Sequence, residues 1–288
     1  MMVEVLVHFV APALVGVLIG IASGLLGIGG GTVMVPIFRL AFGMSATMST
    51  ATSLFAIIPT SISGAISHVK GKTCIPALGI AAGLGGACLS PVGVWLAQLS
   101  PDWLVMLAAA LIIGYSAINM FKKAFKLRPA GQPAEGADAA AAASLTSSGD
   151  AAAAAPTADD SSLSRKQLLQ GAAIGLVAGL ASGYVGVGGG FIMVPLMLSI
   201  IGIPMRRASG TSLIAVMILA IPGVIEQGII GNINYLAGIA IVIGTIPGAV
   251  IGARLVTKVP ERTLRLLFGC FLIVAAVMLV LNEVGIFG

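Results

Sequence analysis

Charge is scarce in this chain. Only 9% of its 288 residues are charged, against about 25% in soluble globular domains, and that excludes an ordinary soluble enzyme. Histidine occurs twice and cysteine three times. Cys74, Cys88 and Cys270 stand far apart, two of them inside apolar runs, with no metal-ligand spacing. They are expected to be small buried residues, and neither a metal nor a cofactor is called for. No Ser-His pair, paired intramembrane Asp or H-E-x-x-H arrangement is present, so an intramembrane hydrolase is not the expected reading. The net charge of +5 does not point to nucleic acid, because the basic residues sit in short loops between apolar runs rather than on one folded surface. Glu4 and His8 precede the first apolar run where a signal peptide would carry a basic region, so the first helix is expected to remain.

Hydrophobic residues make up 58% of the chain. The runs Phe9 to Leu26, Trp103 to Phe121 and Leu264 to Leu281 match the roughly 18 to 20 residues that cross about 30 Å of hydrocarbon. Between two apolar blocks lies a stretch dominated by Ala, Ser, Asp, Gly and Pro, which cannot bury a core and reads as a flexible linker. The expected division is a first transmembrane repeat over 1–128, the linker over 129–164 and a second repeat over 165–288.

The blocks repeat one another at an offset of 159 residues. Ser23 to Gly31 followed by Val33-Met34-Val35-Pro36 aligns with Ser182 to Gly190 followed by Ile192-Met193-Val194-Pro195. Thr52-Ser53-Leu54 aligns with Thr211-Ser212-Leu213, and Pro101-Asp102 with Pro260-Glu261. Each half divides into five segments, at about 9–27, 31–43, 49–68, 76–98 and 102–121, then 167–186, 190–202, 208–227, 235–257 and 261–282. An odd number per half inverts the second half. With the linker cytoplasmic, 14 of the 15 basic residues fall on its side and only Arg39 is left over, while Glu4, Asp102, Glu226 and Glu283 collect opposite, which is the positive-inside asymmetry. The expected fold is therefore an all-α membrane protein of about ten transmembrane segments. They form two inverted five-segment repeats with short, broken second helices and both termini outside.

Each second segment has about a dozen residues, roughly 20 Å of helix, too short to span. The glycine-rich run before it must then lie at depth, buried in protein or lining a wet cavity. Helices starting there would aim unpaired N–H groups and a positive dipole end at an anion, from opposite faces in an inverted pair. Substrate-site backbone and tight packing are both open for Gly27, Gly29, Gly30 and Gly31 and for Gly186, Gly188, Gly189 and Gly190. Gly16, Gly20 and Gly24, with Gly175, Gly179 and Gly183, have the spacing of small-residue helix contacts. A dinucleotide fingerprint is excluded, since the run follows a membrane helix and Thr32 or Phe191 takes the last glycine position.

The doubled G-x-G-G-G-x-x-x-V-P, once in the first hairpin of each half, resembles the sulfite exporter TauE/SafE family. The resemblance covers both halves. It implies transmembrane movement of small sulfur-containing or organic anions such as sulfite, sulfoacetate and related sulfonates. By position it carries over Gly27, Gly29, Gly30, Gly31 and Pro36, and Gly186, Gly188, Gly189, Gly190 and Pro195.

Further candidates are polar groups within the segments. Thr32, Thr52, Ser53, Thr211 and Ser212 are expected at the substrate, with Arg39 either contacting it or snorkelling to the interface. Thr52, Ala56, Thr60, Ser63 and Ser67 make one small, polar helix face, lining a pathway or bonding its own carbonyls. Glu226 and His68 are possible proton-coupling groups. Pro59, Pro91, Pro222 and Pro247 mark kinks or hinges. The expected partners are a small anionic substrate and membrane lipid, with a homo-oligomer left open and no nucleic acid. The expected activity is secondary transport across a bacterial-type inner membrane, export being favoured because an anion leaving a negative cytoplasm gains about 2.3 kcal/mol per charge per 100 mV. An anion channel and proton-coupled uptake are the alternatives.

Overall fold

A computed structural model describes residues 11–126 and 164–283, and they are helical with no strand among them. The first half supplies α1 (Ala11–Leu26), α2 (Gly31–Phe42), α3 (Ala46–Lys70), α4 (Pro76–Leu99) and α5 (Asp102–Lys126). The second supplies α6 (Arg165–Val185), α7 (Gly190–Leu196, continued by one π-helical turn, Met197–Ile201), α8 (Met205–Ile230), α9 (Tyr235–Leu255) and α10 (Glu261–Glu283). Seven of these are long and apolar enough to cross a membrane, whereas Pro12–Leu26, Gly31–Phe42 and Gly190–Ile201 are shorter. Both second segments thus have the length read from the sequence. Residues 129–163 of the expected linker and both chain ends lie outside the described residues.

Local chemistry sets the helix boundaries. The Ser45 hydroxyl accepts from the Met48 N–H at 3.2 Å to start α3. Ser164 and Gln167 form a capping box at α6, and the Asn234 side chain accepts from the Ala237 N–H at 3.1 Å at α9. Each such cap satisfies backbone donors that a helix start leaves open, worth about 1 kcal/mol.

Packing joins the two halves rather than closing each on itself. The closest pairs are α1 with α9 and α4 with α6, and the 159-residue offset turns one pair into the other. Likewise α3 packs on α8 and α5 on α10. Lipid offers helices no hydrophobic drive to associate, so close van der Waals contact between backbones has to supply it. Glycine permits that contact. A Cβ on Gly16, Gly20 or Gly24 would collide with the carbonyls of Ile241, Thr245 and Ala249, and one on Gly175, Gly179 or Gly183 with those of Ala82, Gly86 and Ser90. The small-residue spacing is therefore a pair of backbone-to-backbone seams between halves.

Large apolar side chains such as Leu18, Leu111 and Ile229 face outward, the surface expected against lipid rather than water. Cys88 and Cys270 share that outer surface and Cys74 is half-buried. This corrects the expectation that all three cysteines are buried: in a bilayer an outward helix face is itself apolar, so a hydrophobic run does not distinguish core from lipid contact.

Candidate functional site

Both glycine-rich turns lie in the protein interior and touch. Residues 27–31 and 186–190 are all buried. Gly27, Gly29 and Gly30 have φ of 76°, 77° and 87°, and Gly186, Gly188 and Gly189 have 72°, 86° and 67°, a left-handed region that other residues enter at a cost of about 1–2 kcal/mol. A Cβ on Gly31 would stand 2.5 Å from the Val187 carbonyl oxygen, and one on Gly190 2.5 Å from that of Gly27. The two turns are thus in backbone contact across the middle. Ile57 of α3 and Val216 of α8, equivalent by the offset and fully buried, pack on both Gly29 and Gly188.

The helix that begins at Gly31 points its start into this region. Val33 and Met34 N–H groups turn back on the Gly30 carbonyl at 3.3 and 3.2 Å, and Gly31 and Thr32 precede any intrahelical acceptor, as the first residues of a helix do. Around them are buried hydroxyls with no hydrogen-bond partner, Ser23, Thr32 and Ser61, whereas Ser53, also unpartnered, lies one helical turn from Thr50, which packs on Gly186 of the second turn. Ser61 Oγ lies 3.4 Å from where a Gly29 Cβ would be, and Ser23 Cβ 3.7 Å from a Gly30 Cβ. Ser49, Ser53, Ile57 and Ser61 follow each other at four-residue spacing and so share one face of α3. At the second turn Ser182 matches Ser23, whereas the counterparts of Thr32 and Ser61 are Phe191 and Ala220. The first turn is the more polar of the two.

The remaining candidates serve varied purposes. Thr52 Oγ1 accepts from the Asn234 N–H at 3.0 Å, and Thr211 Oγ1 accepts from the Ile75 N–H at 2.9 Å. Each half is clasped by the other's threonine, at equivalent positions. Ser212 donates to the Gly27 carbonyl at 2.7 Å, fixing the first turn, while its counterpart Ser53 is unpartnered. The polar face of α3 is largely used in the same way. Thr60 donates to the Ala56 carbonyl of its own helix at 2.8 Å and meets Thr245 at 2.6 Å, and Ser63 donates to the Ile246 carbonyl at 2.8 Å, so the stripe both bonds its own helix and joins α3 to α9.

His68 is fully buried. Its Nε2 donates to the Gly24 carbonyl at 2.8 Å and its Nδ1 is 2.7 Å from Thr73 Oγ1. The offset maps the His68–Thr73 pair onto Gln227–Asn232, whose side chains bond at 2.8 Å. Arg39 is half-buried in the last turn of α2, away from the turn at the other end of that helix. Glu226 lies in the last turns of α8 with Oε2 buried and unpartnered. Neither is brought to the glycine turns. A mostly apolar cavity of about 800 Å³ opens between α5, α6 and α7, with Tyr115, Asn119 and Tyr184 among its lining, and includes no turn residue.

The offset already paired Ser23 with Ser182, but sequence reasoning read neither as a site residue, nor Ser61, Ile57 or Val216. Nothing local marks Ile57.

The family described as sulfite exporter TauE/SafE matches residues 12–279. The chain is 27% identical to the "Probable membrane transporter protein YunE" of Bacillus subtilis, over 97% of this chain and 99% of that one. A "Probable membrane transporter protein" of Haemophilus influenzae is 28% identical over 93% and 97%. The Arabidopsis thaliana "Sulfite exporter TauE/SafE family protein 3" is 30% identical over 36% of this chain and 23% of its own length. No solved structure matches.

Proposed function

We propose that this chain, which belongs to the sulfite exporter TauE/SafE family of multi-pass membrane transporters, is a secondary carrier of small sulfur-containing or organic anions such as sulfite or sulfonates. The observation that carries the reading is the buried meeting of the two glycine turns beside unpartnered hydroxyls. Unsatisfied buried polar groups cost about 1–3 kcal/mol each, and these hydroxyls and the open N–H groups of the α2 start can all donate to an anion. Gly31 and Thr32 N–H groups, the α2 dipole and the hydroxyls of Ser23, Thr32 and Ser61 act together as its ligands. Ten crossings in two inverted repeats, with the linker cytoplasmic in a bacterial-type inner membrane, set the halves to rock about the turns and expose them alternately. Ile57 and Val216, packed over both turns, are the plug of the closed state. Export follows the membrane potential without a coupling ion.

Labelled sulfite, sulfoacetate, sulfate and thiosulfate loaded into proteoliposomes under an imposed potential test this. Saturable efflux with counterflow is expected, and discrete single-channel conductance steps would sink the carrier reading. Thr32→Val and Ser61→Ala should lower efflux at least tenfold while the protein still assembles. Normal efflux in both variants would place the site elsewhere.

A further inference from the structure

A second cavity, of about 440 Å³, lies where the loop after α3 meets the starts of α8 and α10, and its lining is Lys72, Thr73, Pro204, Arg206, Arg207 and Glu261. Three cations face one carboxylate, and that carboxylate is already engaged by Arg265 and by the Met205 N–H at 3.3 Å. Arg206 anchors one end of its guanidinium on the Val259 carbonyl at 2.9 Å and leaves Nε buried without a partner. We infer that this cavity is an entrance site that collects a small oxyanion on the linker side of the membrane and passes it to the first glycine turn. The inference rests on the transport reading above.

Three observations besides charge support it. The first is backbone strain. Lys72 has φ 52°, and it alone among the described non-glycine residues has a positive φ, whereas its repeat counterpart is Gly231 at 84°. The half that could use glycine there holds a lysine in a strained conformation, the kind of outlier that points to a role for the side chain. The second is asymmetry. The offset maps the lining onto Gly231, Asn232, Ser45, Thr47, Met48 and Asp102, where Thr47 bonds Asp102 at 3.4 Å and no cation stands. Among the described residues the equivalent positions at the other end lack the collecting chemistry. The third is connection. Thr73 of the lining meets His68, which holds the Gly24 carbonyl three residues before the first turn. On the other wall Ser209, bonded to the Arg206 carbonyl at 3.0 Å, packs against Gly27. The positive-inside bias alone calls for cations anywhere on this face, and requires neither a cavity nor these links.

The test uses the full chain with Lys72→Gly, the residue its repeat carries, combined with Arg207→Gln, and with Lys258→Gln as a basic residue of the same face outside the cavity. Sulfite flux is measured from each face in oppositely oriented membrane vesicles. The double variant should raise the half-saturating sulfite concentration from the linker face at least tenfold, with the maximal rate falling less than twofold and no change from the opposite face. Raising ionic strength from about 0.05 to about 0.5 M should weaken the wild type and leave the double variant flat. An unchanged half-saturation, or an equal rise from both faces or in Lys258→Gln, overturns the inference. So does native mass spectrometry in which the wild type retains an anionic phospholipid that the double variant loses, since a lipid headgroup then fills the seat. Thermal shift of the detergent-solubilised protein by sulfite separates the two readings. If wild-type vesicles carry no anion yet sulfite stabilises the wild type and not the double variant, the site stands and the transport reading falls. If sulfite stabilises neither, the site falls.

Discussion

Removing the unpartnered hydroxyls should move stability and transport in opposite directions. Ser23, Thr32 and Ser61 are each fully buried, and no hydrogen-bond partner reaches their oxygens. Ser→Ala and Thr→Val keep nearly the same shape, so packing loss is small and the desolvation cost of each hydroxyl, about 1–3 kcal/mol, is relieved. In a chain of this size about 1 kcal/mol moves a melting midpoint by roughly 2–4 °C. The triple variant should therefore melt several degrees higher in detergent without substrate. Hydrogen bonds to a charged ligand contribute about 1.5–3 kcal/mol each, and every 1.4 kcal/mol is tenfold in affinity. Each single variant should accordingly weaken sulfite binding about tenfold or more, read as a smaller sulfite-induced thermal shift and a higher half-saturating concentration. A triple variant that melts lower and transports normally would refute the reasoning, because the hydroxyls would then be structural.

Gly31→Ala and Gly190→Ala each place a methyl 2.5 Å from the opposite turn's carbonyl oxygen. Both should lose several degrees of melting temperature and more than nine-tenths of efflux, and normal efflux in either would show that the turns need not touch. His68→Gln should keep most of the flux and leave its pH profile between about 5 and 8 unchanged, because the amide oxygen can take the bond to Thr73, as its counterpart Gln227 accepts from Asn232, and the amide NH2 can donate to the Gly24 carbonyl. A flattened profile would instead assign proton coupling to His68. Thr52→Ala and Thr211→Ala should each cost about 1 kcal/mol and do so equally, since their bonds to Asn234 and Ile75 are equivalent; a thermal melt of each variant checks this. In a cysteine-free background, Ser100→Cys and Lys258→Cys should react with an impermeant maleimide from opposite faces, and labelling from the same face would refute the proposed inverted arrangement.

Much of the helical plan was legible before any contact was known. Hydrophobic runs, cap residues and glycines that end helices act within a few residues of themselves, so α2 and α7 came out short and the glycine turns fell where the doubled motif stands. The repeat was equally legible, because it is a comparison of the chain with itself. The polar face of α3 was not, since a hydroxyl in a helix can bond its own turn or a neighbour and only the neighbour's position decides. Thr60 and Ser63 bond α9, some 185 positions away along the chain.

Sequence by itself determined a membrane protein made of two related halves, and its motif determined the family. Tertiary structure decided how the halves share their seams, that the first turn has more unpartnered hydroxyls about it than the second, and that Lys72, Arg206 and Arg207 converge on one cavity. The physical reason is range. Propensity, capping and hydropathy are local properties of the chain. Whether a buried hydroxyl has a partner, or three cations have a common neighbour, depends on backbone approaches between residues more than a hundred positions apart, and those are set by packing alone.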